Sequence, residues 1–89
     1  MNTYELYISG KVQGVYYRAS TRAKAQELEL TGYVENLPDG RVHAVVQGDE
    51  TACRHLIDWC RQGPDRAQVT SVDVSPISAP SYETFTINR

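Results

Sequence analysis

Tyr4, Leu6 and Ile8 alternate with Glu5, Tyr7 and Ser9, a period-two pattern that predicts a strand over about residues 3–10. The period then changes. Tyr17, Thr21, Ala25 and Leu28 recur at helical spacing and predict a helix over about 18–29. Alternation returns over about 32–37 and about 41–48, two strands joined by Pro38-Asp39-Gly40. Asp-Gly between alternating runs is the strongest short-range hairpin signal. Asp49 is placed to cap a second helix over about 50–62, accepting from its first free N–H groups. That helix carries Cys53, Leu56, Ile57 and Cys60 on one face, and Gly63-Pro64 ends it. A fourth strand takes about 69–75. After Pro76 and Pro80, a last strand around 82–88 turns Phe85 and Ile87 to one side.

This order is the split β-α-β unit repeated. It predicts an α+β ferredoxin-like sandwich, βαββαβ with a short additional C-terminal strand, whose antiparallel sheet is covered on one face by two helices. The 89 residues read as a single domain over 1–89, able to bury a core without metal or disulfide staples. The stretch from Pro76 to Pro80 is a loop and not a boundary.

Composition removes several function classes. A net charge of −2 argues against general nucleic-acid binding, which needs a basic face. No apolar run approaches the ~18 residues of a membrane span, and no secretory leader is visible, so a cytoplasmic protein without membrane association is expected. Cys53 and Cys60 sit seven helical residues apart, a Cα separation of ~10.5 Å that is beyond disulfide reach. They read as small apolar core residues with free thiols, and their spacing does not supply the close ligand pair of a zinc site. Neither a metal nor a cofactor is expected.

The chemistry concentrates in Gly10-Lys11-Val12-Gln13-Gly14-Val15-Tyr16-Tyr17-Arg18, a strand-to-helix loop with two glycines. Glycine lets the backbone take φ > 0 and approach a ligand closely. The amides of Gln13, Gly14, Val15, Tyr16 and Tyr17 can then converge on one point at the positive end of the helix. A cation is disfavoured at a helix N-terminus unless an anion is placed with it. Arg18 is that cation, and its planar fork of donors fits two oxygens of a phosphoryl group. The loop lacks the spacings of the dinucleotide and P-loop motifs, so it is an anion cradle of another kind.

The whole string resembles the signature of the acylphosphatase family, G-x-V-Q-G-V-x-[FY]-R, at every specified position. Gly32-Tyr33-Val34-Glu35-Asn36-Leu37-Pro38-Asp39-Gly40-Arg41-Val42 resembles that family's second block, a strand carrying an Asn followed by an Asp-Gly hairpin. Gly63-Pro64, Arg66-Ala67-Gln68-Val69 and Val72 match the usual lead-in to its fourth strand, so the resemblance spans nearly the whole chain. It implies hydrolysis of a small-molecule acyl phosphate to a carboxylate and inorganic phosphate, without metal. Arg18 and Asn36 are then the catalytic residues, and the Gln13–Tyr17 amides bind phosphate. Inorganic phosphate and sulfate are implied as competing anions, and a monomer is the expected state. Two other classes remain: a non-catalytic anion-binding module of the same fold, which would keep the cradle and lose Asn36, and a domain detached from a larger carbamoyl-phosphate-handling protein, expected to be longer with zinc-finger cysteines downstream.

Asn36 stands mid-strand, where Asn is disfavoured, yet its amide can both accept and donate and so suits holding a water molecule. Lys11 reads as a solvated loop charge. Gln13 reads as a backbone contributor or as a brace for the loop through its amide. His43 shares period-two register with Arg41 and Gln47 and is expected on an exposed sheet face or edge, while His55 neighbours the apolar helix face. Neither histidine has a nucleophile or metal-ligand partner at a useful spacing. Six tyrosines suggest a base-stacking platform, but strand three, Arg41-Val42-His43-Ala44-Val45-Val46-Gln47, lacks the aromatic RNA-binding pattern. Tyr17 and Tyr33 are expected to pack, each hydroxyl finding a partner or water. Glu29 departs from the family, which ends this helix with Gly; a left-handed Glu there costs roughly 1 kcal/mol.

Overall fold

In the structure, a computed structural model that describes residues 2–88, seven elements follow in the expected order. They are β1 (Asn2–Lys11), α1 (Tyr17–Glu27), β2 (Thr31–Asn36), β3 (Val42–Gly48), α2 (Glu50–Gln62), β4 (Gln68–Pro76) and β5 (Phe85–Ile87). The sheet order is β4-β1-β3-β2-β5. Strands β1, β2, β3 and β4 pair antiparallel, whereas β5 adds to β2 in parallel, so the sheet is mixed. The parallel edge arises because the chain leaves β4 on one side of the sheet and crosses to the other through residues 77–84. Gln47 pins that crossing: its Nε2 donates to the Pro80 carbonyl at 3.0 Å and its Oε1 accepts from the Tyr82 amide at 2.9 Å.

One sheet face and the two helices enclose the core. Leu6 and Ile8 from β1, Val34 from β2, and Val42, Ala44 and Val46 from β3 alternate onto that face and are fully buried. Tyr17, Thr21 and Ala25 of α1 and Cys53, Leu56, Ile57 and Cys60 of α2 close over them, as their helical spacing requires. The Tyr17 ring is buried, and its hydroxyl donates to the Cys60 carbonyl oxygen at 2.6 Å, which ties the start of α1 to the end of α2. Burial holds that phenol protonated by raising its pKa well above the ordinary value. Asp49 caps α2 as expected, its carboxylate accepting from the Ala52 amide at 3.2 Å.

The end of α1 explains the departure at Glu29. The Leu30 amide donates to the Ala25 carbonyl and the Glu29 amide to that of Gln26, the two bonds of a Schellman cap. That cap needs its C′ residue left-handed, and Glu29 sits at φ 60°. The helix therefore ends where the family's glycine would end it, with strain in place of glycine. Glu29→Gly is expected to stabilise the fold by about 0.5–1 kcal/mol, the relief of strain less the entropy glycine adds to the unfolded chain. Urea denaturation should show a higher midpoint with an unchanged slope.

One expectation fails. His43 lies on the central strand and is buried, not exposed. Its Nδ1 meets Glu35 Oε2 at 2.7 Å and its Nε2 meets Glu5 Oε2 at 2.9 Å, while the Tyr7 and Tyr33 rings lie 4.8 and 5.7 Å from its own. Period-two register gave the face correctly. What covers that face comes from neighbouring strands, and alternation within one strand does not record it. His55 is exposed on α2.

Candidate active site

The loop between β1 and α1 is shaped by two left-handed residues. Gly14 takes φ 74° with open space where a Cβ would stand, and Tyr16 takes φ 62° as the residue preceding α1. Single left-handed residues between right-handed ones turn successive N–H groups toward one side, the geometry of an anion nest. Among the described residues, none of the amides from Gln13 to Tyr17 is used in a backbone hydrogen bond outside the regular elements. Gly10 differs from the expectation that both glycines serve the loop. It lies within β1, and a Cβ there would meet the Gln68 carbonyl oxygen at 2.1 Å, so its glycine is required by the close approach of β4.

Helix α1 begins without a side-chain cap and without an acidic residue in its first turn. Its positive end is therefore uncompensated by any group of its own. Arg18 adds a further positive charge at that end. It is half-buried and, among the described residues, forms no ion pair. Two positive features placed together without a carboxylate make a site complementary to an anion.

Asn36 ends β2 across from this loop. Its Oδ1 is buried without a hydrogen-bond partner among the described residues. A buried acceptor left unpaired costs about 1–3 kcal/mol, so its retention calls for a function. Asn36, Arg18, Gly14, Tyr16 and Tyr17 line one cleft of about 440 Å³. Val12, Ala19 and Ile87 complete the lining, and the cleft is larger than a phosphoryl group requires. Ile87 reaches it because β5 pairs in parallel with β2, setting Ile87 opposite Val34, two residues before Asn36. Phe85 and Ile87 signal a strand with both on one side, but its pairing partner, and so the wall, comes only from the fold.

Besides Tyr17, two residues of the cradle turn their side chains elsewhere. Val15 is buried in the core, which anchors the middle of the loop. The Gln13 amide donates to the Leu37 carbonyl at 2.8 Å and to the Arg41 carbonyl at 2.9 Å, bracing the loop against the β2–β3 hairpin. Lys11 is exposed at the end of β1. The free thiols offer no alternative nucleophile: burial pushes Cys53 up to about 11 and Cys60 up to about 12, so both stay protonated at neutral pH. No group of three or more His, Cys, Asp or Glu side chains suited to a metal converges among the described residues.

Fold and cleft together define a class: a small ferredoxin-like α+β domain whose cleft gathers an arginine, a helix N-terminus and an asparagine amide. The acylphosphatase family profile matches residues 4–87. An acylphosphatase of Acaryochloris marina is 56% identical over 82 residues, 92% of this chain and 88% of its own length. One of Marinobacter nauticus is 51% identical over 86 residues, 97% and 91% respectively. The solved structure of an acylphosphatase from Coxiella burnetii is 39% identical and superposes with a TM-score of 0.94, covering 98% of this chain and 92% of that one. The chain belongs to the acylphosphatase family, and it is a hydrolase of acyl phosphates.

Proposed function

We propose that the carboxyl–phosphate bond is hydrolysed in this cleft, with Arg18 and the amides from Gln13 to Tyr17 holding the phosphoryl oxygens and Asn36 holding the attacking water. The observation that carries the assignment is that Asn36, whose amide oxygen has no partner among the described residues, lines the same cleft as Arg18. The Asn36 amide, which can both accept and donate, holds the water with its lone pair aimed at phosphorus. The new P–O bond forms as the P–O bond to the acyl group breaks. Its electron pair leaves on the carboxylate, and the water's proton passes to a phosphate oxygen of the substrate. No strong general base is needed, because the carboxylate is a good leaving group. Catalysis is then positioning together with preorganised donors where charge redistributes.

Purified protein should release inorganic phosphate from benzoyl phosphate with excess EDTA present. Failure to do so would remove the proposed mechanism. The product and its mimic sulfate fit the same donors and should compete with substrate. At 100 times its dissociation constant, either anion should add roughly 2.7 kcal/mol of stability. For a domain of this size that is a rise in Tm of roughly 10 °C or more. A scan with chloride at equal ionic strength is the control, and a phosphate-insensitive Tm would count against the cradle.

The chain acts, in this reading, as a single 1–89 domain and a monomer in the cytoplasm. The two free thiols suit a reducing compartment. Breadth toward the acyl group is expected, since the donors converge on the phosphoryl end.

A further inference from the structure

The cradle and Asn36 sit on elements that do not touch through the sheet. The loop continues β1, Asn36 ends β2, and β3 lies between those strands. The ladder links them only indirectly, Ile8 pairing with Val42 and Val42 with Asn36, and β1 pairing stops at Lys11, before the loop. One side chain spans the gap. Gln13 comes from the middle of the loop, and its Nε2 donates to the Leu37 carbonyl at 2.8 Å and the Arg41 carbonyl at 2.9 Å.

Those two carbonyls form the neck of the β2–β3 hairpin. Leu37 directly follows Asn36, and Arg41 directly precedes Val42, the register partner of Asn36. The neck is itself closed by the Leu37 amide donating to the Arg41 carbonyl at 2.8 Å. Asp39 shapes the turn beyond, accepting from the Arg41 amide at 3.0 Å and from its Nε at 2.8 Å. The hairpin is thus already held together without Gln13. What Gln13 adds is its position relative to the cradle. Both acceptors are carbonyl oxygens, so only the NH₂ end of an amide can satisfy them, and both of its N–H groups are used.

We propose that Gln13 is a positioning residue, which locks the end of β2 to the cradle so that the Asn36 amide faces the phosphoryl group in line. This rests on the roles given above to Asn36 and Arg18. Misplacement of about 1 Å in a positioned reactant can cost ~10²-fold in rate, so loss of the lock should appear in the chemical step. Phosphate binding, which needs only the loop amides and Arg18, should survive.

The test is a double-mutant cycle on Gln13 and Asn36, read by kcat and by the dissociation constant of inorganic phosphate. Gln13→Ala should lower kcat by about 10-fold or more and change phosphate binding by less than about threefold. Gln13→Met keeps the volume while removing both donors, which guards against a collapsed loop, and should match the Ala variant. Gln13→Glu should do no better, because a carboxylate has no proton to give two carbonyls at neutral pH. On an Asn36→Ala background, the Gln13→Ala change should cost no further kcat, within about threefold. A second full loss on that background would show Gln13 acting on the cradle or the fold and would overturn the proposal while leaving the site reading intact. Full kcat in Gln13→Met would overturn it as well. Full kcat in Asn36→Ala alone would remove the site reading and this inference together.

Discussion

Arg18→Ala is expected to lower turnover by ~10²-fold or more while circular dichroism shows an intact fold. The variant removes a charge-assisted, two-pronged contact worth on the order of 3–5 kcal/mol in the transition state. The fold should survive because Arg18 is half-buried, carries no ion pair among the described residues, and lies outside the core. Arg18→Lys should rescue little. An ammonium is a point charge and cannot reproduce a planar fork with donors to two oxygens. Steady-state kinetics on benzoyl phosphate decides the matter, and a Lys variant with near-wild-type kcat would show that charge alone suffices.

Asn36→Ala separates chemistry from binding. If the Asn36 amide holds the water, its loss should lower kcat sharply, with the substrate still held by the cradle. Truncation also removes a buried acceptor that has no partner among the described residues, so stability should hold or rise, by up to about 1–3 kcal/mol. A residue retained at a cost to stability and needed for kcat is the signature of a functional side chain. Asn36→Asp should fail for a different reason: a carboxylate cannot donate at neutral pH and repels the phosphoryl oxygens. Measuring kcat beside a urea melt checks both halves. An Ala variant with full kcat would leave the mechanism resting on Arg18 and the loop alone.

Local signals in the chain agree with the structure because each has a local cause. The alternation of Tyr4, Leu6 and Ile8 reports a strand buried on one face, and Asp49 with Cys53, Leu56, Ile57 and Cys60 reports a capped amphipathic helix. Pro38-Asp39-Gly40 turns where its chemistry says it should, between β2 and β3. Arg18 and Asn36 stood out by being in the wrong place by propensity, a cation at a helix start and an amide in a strand. Their meeting in one cleft required the fold. Three features depend on contacts distant in sequence, which no local pattern locates. Phe85–Ile87 is too short to announce parallel pairing, and so the Ile87 wall of the cleft was not foreseen. His43 alternates as an exposed residue would, but Tyr7, Tyr33, Glu5 and Glu35 arrive from both neighbouring strands to cover it. Gln13 was recognisable as a brace, though its acceptors, carbonyls more than twenty residues away, were not.

The central claim is that one group of residues grips the phosphoryl group and a different residue delivers the water. Calorimetric titration of inorganic phosphate into wild-type, Arg18→Ala and Asn36→Ala protein tests it most directly. The account predicts that Asn36→Ala binds phosphate within about threefold of wild type, a difference under ~0.7 kcal/mol. Arg18→Ala should bind at least about tenfold more weakly, the loss of ~1.4 kcal/mol or more from a charge-assisted contact. Equal phosphate affinity in Arg18→Ala and wild type would contradict the account, because the cradle would then hold its anion without the residue at its centre.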